Sequence, residues 1–353
     1  MIEVRTLTDG GQRALDVARS IADFLGAART SLDLAQYDFH LVPETRDVVA
    51  GAIEAAAARG VAVRILYNVD HRNPIPVPPP PEPDVELMQS LRVPAKAVAG
   101  VPDLMHHKYV VRDRECVWTG SMNWTDDSWS RQENVVVVVE SGEVADAYTR
   151  NFDELWETGA VERSGFVDPT RLSVDGKTVR TWFTPGHGEA LAHSIAAAIG
   201  RASRVRICSP VITSAPILGT LAELVSEGKV DVAGCVDQPQ VQGVVLQWRA
   251  NGNVAWKLPL LERVMQGPFS GKRSHPWEPG PGVHDFMHAK ITVADDVVFA
   301  GSFNLSRSGE LNAENVLEIH DAGLADRLAA YIDEVRSRYP HFSLDSAPAA
   351  AAR

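Results

Sequence analysis

The chain has 353 residues, enough for one large α/β unit or two ordinary domains with an ample core. It is 45% hydrophobic and 23% charged, the balance of a soluble globular protein. Its net charge of −12 argues against a surface that grips nucleic acid broadly, while leaving room for a local basic cleft.

At the N-terminus, "MIEVRTLTDGGQRALDVARS" lacks the basic start and apolar run of a signal peptide. No stretch reaches the roughly eighteen apolar residues of a membrane span, so the expected address is the cytoplasm. "VRTLTDGGQRAL" (Val4 to Leu15) reappears loosely as "VRTWFTPGHGEAL" (Val179 to Leu191). Each copy leads into a helix pattern, "DVARSIADFLGAA" and "AHSIAAAIGRA", and then an apolar strand, "SLDLAQYDF" and "RVRICSPVI". A second helix-strand pair follows in each half, with Gly60 and Gly228 placed to end the helices. Alternating helices and strands predict mostly parallel sheets covered on both faces. The expected division is an N-terminal half over residues 1–165, a C-terminal half over 166–345 and a disordered tail over 346–353. Proline-rich His71 to Asp84 and the stretch Gly267 to Gly282 break the pattern and read as long loops able to wall or cover a cleft, with Ile75, Val77, Phe269 and Trp277 as their apolar contacts. The three cysteines, Cys116, Cys208 and Cys235, suit neither a disulfide framework nor a metal motif and read as buried free thiols.

The chemistry sits in a repeat of polar residues. "MHHKYVVRDRECVWTGSMNW" carries His106, Lys108 and Asp113, then Gly120, Ser121 and Asn123; "MHAKITVADDVVFAGSFNL" carries His288, Lys290 and Asp295, then Gly301, Ser302 and Asn304. Ten residues beyond each asparagine stand Glu133-Asn134 and Glu314-Asn315. This alignment puts His106, not His107, in register with His288; His107 occupies a variable slot, at the surface or behind the site. Residues two apart on a strand face the same side, so each histidine and lysine project together. Two such halves facing one another supply paired imidazoles and ammoniums with amide and hydroxyl donors, a set suited to an anionic phosphodiester. Metal binding fits poorly, because a lysine two residues from each histidine repels a cation.

The pattern resembles the phospholipase D superfamily, whose signature is His-x-Lys-x4-Asp followed by Gly-Ser-x-Asn, present twice per active site. The resemblance covers nearly the whole chain and both signatures are complete. It implies an α/β fold of two pseudo-symmetric halves with the site between them, and a metal-independent phosphodiesterase that needs no cofactor and no obligate protein partner. One histidine attacks phosphorus to give a phosphohistidine; the other protonates the leaving oxygen, then activates water or an acceptor alcohol. The resemblance makes His106 the nucleophile and His288 the acid and base. Lys108, Lys290, Asn123, Asn304, Ser121 and Ser302 are expected on phosphate oxygens, Glu133 and Glu314 on the far nitrogens of the imidazoles, and Asp113 and Asp295 in structural turns.

Two diester classes remain open. Phospholipid hydrolysis or head-group exchange suits the acidic balance and the apolar loops, with Trp124 and Trp129 either lining an acyl path or in the core. Nuclease action would use Arg112, Arg114, Arg131, Lys272 and Arg273 as a basic rim. A third reading, an inactive binding or scaffold homologue, sits poorly with two intact signatures. His275 and His284 read as incidental.

Overall fold

The computed structural model describes residues 1–70, 84–276 and 282–344. Ile75, Val77, Trp277 and the tail lie outside them, so the expectations for the proline-rich loop and the tail do too.

Two mixed sheets form the frame. The first runs in the order Ile2–Leu7, Asn134–Glu140, Cys116–Gly120, Lys108–Arg112, Ser31–Gln36, Ala62–Val69, Ala95–Ala99. The second repeats that order with Lys177–Phe183, Asn315–His320, Val297–Gly301, Ile291–Ala294, Arg204–Ser209, Asp231–Asp237, Phe269–Lys272, and adds Arg171–Val174 at one edge. The duplication therefore extends to strand order. The expected parallel majority does not hold: Ser31–Gln36 pairs in parallel with Ala62–Val69, but both motif strands and their neighbours pair antiparallel. The reason is the connection: Lys108–Arg112 and Cys116–Gly120 are joined by a tight turn, which can only reverse the chain, whereas a parallel pair needs a helical crossover.

Helix ends follow local rules. Gly60 (φ +89°) and Gly228 (φ +65°) close their helices in the left-handed region that glycine enters without steric cost. The stretch Gly267 to Gly282 is not all loop: Phe269–Lys272 forms a buried edge strand parallel to Gly234–Asp237, and Phe269 is core rather than lid.

Helices Gly142–Thr158 and Ala322–Ser337 lie between the two sheets. The first buries Val144, Tyr148, Phe152 and Leu155; the second buries Leu324, Leu328, Tyr331, Ile332 and Val335, spacings that make one apolar face. These residues form one core with strand residues of both sheets, including Val135, Val137, Ala300 and Leu317. Separate outer cores back each sheet with its own helices. Backbone bridges also join the halves, Met105 with Ala313 and Glu133 with Met287, and His106 N donates to Ala313 O at 2.9 Å. The halves are thus one body, and their seam runs past both histidines. All three cysteines are buried and free.

Candidate active site

Each motif builds the same local unit. Lys108 Nζ donates to His106 O and Lys290 Nζ to His288 O, both at 2.8 Å, so each ammonium folds back beneath its own histidine. All four side chains are buried. Asp113 (φ +57°) and Asp295 (φ +51°) turn the chain at the strands' far ends. Asp113 accepts from the amides of Arg29, Thr30 and Ser31, and Asp295 from those of Ser203 and Arg204. They are turn anchors at the opposite end of the strand from the histidines. Gly120 and Gly301 lie so close to the next strand that a Cβ would overlap the carbonyl oxygen of Val135 or Asn315.

His106, His288, Asn123 and Asn304 line a single cleft of about 790 Å³ between the halves. Each asparagine has its side-chain oxygen buried with no hydrogen-bond partner among the described residues. The two motifs also sense one another electrostatically. Burial pushes the His106 imidazole well below its ordinary range, and Lys108, Lys290 and His288 push it the same way. His288 is lowered by burial, then Lys290 and Lys108. Burial lowers Lys108 to about 7 against the pull of Glu314 and Asp38. Like charges gathered out of water disfavour protonation until an anion joins them, so the site is poised for a negatively charged ligand. Tyr37 closes one side, its ring edge-on to His106 at 4.5 Å and 4.7 Å from Lys108 Nζ.

The imidazole partners are unequal. His106 Nδ1 lies 2.8 Å from both Glu314 carboxylate oxygens, whereas His288 Nδ1 lies 3.1 Å from the side-chain oxygen of Asn134. Glu133 contacts neither ring. It meets Lys272 Nζ at 2.9 Å and the Tyr339 hydroxyl, behind the site. The reason is register. Met105 bridges Ala313 while the equivalent Met287 bridges Glu133, and Ser302 N bonds Asn315 O while Ser121 N bonds Val135 O. Asn134, not Glu133, therefore occupies the place of Glu314. One extra residue between Gly-Ser-x-Asn and the strand shifts the first half by one position, and neighbouring strand residues face opposite sides.

Other expected residues are also reassigned. Ser121 and Ser302 are buried away from the cleft: Ser121 Oγ donates to Asn134 at 2.7 Å, and Ser302 Oγ accepts from Asn315 N at 3.0 Å. They hold the residues beside the imidazoles, not phosphate. His107 is buried against Tyr109 and Phe183, and burial drops its pKa to about 3. Trp124 and Trp129 are core. Of the expected basic rim, Lys272 is buried on Glu133 and Asp9, Arg131 pairs with Asp9 at 2.7 Å, and Arg112 lies over Phe24. Arg112 and Arg114 stand with Asp113 at the end of the strand remote from His106. His284, read from the sequence as incidental, lines the cleft beside Phe286. It lies four residues before His288, and its position is legible only once the chain is folded. Asp126 and Asp127 line the N-terminal wall, where burial and Asp126 raise Asp127 to about 6.

Two half-domains of one topology, meeting at a histidine-lined cleft, define a duplicated α/β class. In fold, the chain is similar to the phosphatidylserine synthase of Haemophilus influenzae Rd KW20 (TM-score 0.64, 13% identity, covering 96% of this chain and 86% of that one). It is also similar to the polyphosphate kinase of Porphyromonas gingivalis (TM-score 0.60, 12% identity, covering 94% of this chain and 46% of that one). The family described as "Cardiolipin synthase, PLD-like domain" matches residues 21–156 and 193–336, one segment in each half. The chain belongs to this family, within the phospholipase D superfamily of phosphodiester-processing enzymes. Among curated relatives, it is 25% identical over 145 residues to the human mitochondrial cardiolipin hydrolase, covering 41% of this chain and 53% of that protein. It is 30% identical over 132 residues to the phospholipase D of Rickettsia bellii, covering 37% and 60%. The chain thus spans a little over half the length of these relatives. No helix among the described residues is long and apolar enough to cross a membrane.

Proposed function

We propose that this protein hydrolyses a phospholipid diester, or transfers its phosphatidyl group to an alcohol, through a phosphohistidine on His106 and without a metal. The observation that carries this is the pair of unequal histidines on opposite sides of one cleft, His106 backed by a carboxylate and His288 by an amide. A carboxylate behind an imidazole holds one tautomer and stabilises positive charge on the ring, which a nucleophile acquires when it bonds to phosphorus. In the first step His106 Nε2 forms a bond to phosphorus, the bond to the leaving oxygen breaks, and His288 gives that oxygen a proton. In the second, water or an alcohol attacks phosphorus, the P–N bond breaks, and His288 takes the attacking oxygen's proton. Lys108, Lys290, Asn123 and Asn304 would neutralise and bond the non-bridging oxygens.

The cleft's lining favours a lipid over a nucleic acid. Val211, Val244, Trp248 and Val254 give its C-terminal wall an apolar stretch beside Lys257 and Arg307, and the N-terminal wall carries Asp126 and Asp127, which would repel a polyanion on that side. Val42, Val283, Leu246 and Trp256, all substantially exposed, belong to the segments bordering the cleft and suit a membrane surface. Of the basic side chains proposed for a nuclease rim, Arg131 and Lys272 are paired with carboxylates, Arg112 and Arg114 stand at the strand end remote from His106, and Arg273 is exposed. The decisive experiment is acid quenching during turnover of a labelled phospholipid, followed by peptide mapping. Label on His106 is expected. Label on His288 reverses the roles, and full activity in His106→Ala removes the proposal.

A further inference from the structure

The departure from symmetry at Asn134 has chemical consequences. Asn134 is fully buried, and its amide orientation is set by its neighbours. Nδ2 donates to the backbone carbonyl of Ser128 at 2.9 Å, a group that can only accept. Oδ1 is thereby turned toward Ser121 Oγ, which donates to it at 2.7 Å while accepting from Val135 N at 3.0 Å, and toward His288 Nδ1 at 3.1 Å. An acceptor oxygen facing Nδ1 requires that nitrogen to carry a proton. The neutral ring therefore presents the Nε2 lone pair, and the cationic ring presents an Nε2 proton.

We infer that Asn134 is a positioning residue that locks His288 in the Nδ1-protonated tautomer and, by offering an amide in place of a carboxylate, makes it a strong proton donor and a weak base, so that breakdown of the phosphoenzyme is the slow step. The inference rests on the two-step reading above. A carboxylate at this position would stabilise the imidazolium through its full charge; a neutral amide oxygen does so only through a dipole. The other groups facing His288 do not make up the difference: Lys290, Lys108 and His284 disfavour its charged form, against the Ser121 backbone, which favours it less than any of them opposes it. When His288 has given its proton to the leaving oxygen, the returning proton must go from water to this weakened base. His106, by contrast, keeps Glu314 behind it throughout.

The test is Asn134→Asp, which places a carboxylate oxygen where the amide oxygen stands. The probe is bis(4-nitrophenyl) phosphate, whose nitrophenolate leaves without acid assistance, so that a rapid-mixing trace separates phosphoenzyme formation from breakdown. The wild type should show a burst of nitrophenolate followed by a slower steady rate. In Asn134→Asp the burst should shrink relative to the steady rate, and the pH-rate limb belonging to His288 should move up by about one unit or more. An unmoved limb with an unchanged burst ratio overturns the inference. A structural role alone would lower activity without moving the limb. If the variant fails to fold, imidazole ¹⁵N resonances of the wild type decide: a neutral His288 protonated on Nδ1 supports the assignment, and one protonated on Nε2 overturns it. A wild type that neither turns over the diester nor forms a phosphoenzyme would defeat the two-step reading itself, an outcome distinct from an unmoved limb.

Discussion

Four buried side chains, two imidazoles and two ammoniums, share one seam, and their chemistry follows from having been taken out of water together. Burial disfavours the charged form of each, both lysines disfavour it further on the two imidazoles, and burial raises Glu314 to about 8, so an anion entering the cleft would favour the cationic forms. This has a measurable consequence at Lys108, whose pKa burial brings to about 7. The ammonium is present below that pH and lost above it, so kcat/KM should decline as pH rises through about 7. The limb in kcat should lie higher, because bound anion holds the proton; titrating both parameters with a soluble diester checks the order. His106→Ala and His288→Ala should each cost several decades in rate. Glu314→Gln should lower kcat on the order of 10³-fold by weakening the charge-stabilising partner of His106, measured with the same diester.

At the level of elements, the recurring design is a strand whose two faces do different work. Asn134 and Glu133 are neighbours on one chain segment, yet one serves the cleft and the other an ion cluster behind it. Glu133 and Lys272 are both buried, so their pairing is a structural matter. Glu133→Gln should lower stability by about 3 kcal/mol, because Lys272 then keeps a single carboxylate, Asp9 at 3.2 Å, beside the Arg131 carbonyl, and should leave the pH limbs of the surviving activity in place. Chemical denaturation beside a pH profile separates this from a role at the imidazole. Gly301 has a comparable structural duty. Gly301→Ala should cost at least ~2 kcal/mol, since the added methyl group overlaps the Asn315 carbonyl and displaces the strand that begins beside Glu314.

For the molecule as a whole, the shared layer of two helices between two sheets decides that there is one site rather than two. Each half presents one histidine, one lysine and one asparagine at the end of its sheet, and the central core brings those ends together. The exposed Leu246 and Trp256 are chain neighbours of cleft-lining residues Gln247 and Lys257. Replacing Leu246 and Trp256 together by serine should reduce turnover of phospholipid vesicles roughly tenfold while turnover of a soluble diester is retained. Equal losses on both substrates would point away from a membrane-facing border.

What the sequence determined by itself is what lies close along the chain. His106 with Lys108, His288 with Lys290, the turns at Asp113 and Asp295 and the exclusion of His107 from the site all follow from spacings of a few residues repeated in two places. The duplication of the halves was legible for the same reason. Strand direction was not, because a tight turn and a helical crossover leave similar apolar runs on either side. Nor were the imidazole partners. His106 meets Glu314 across 208 residues, and the two Glu-Asn pairs look identical in sequence although one extra residue turns Glu133 away and puts Asn134 in its place. Which face of a strand reaches the cleft depends on how the strand is registered against its neighbours, and that register is set by packing between the halves.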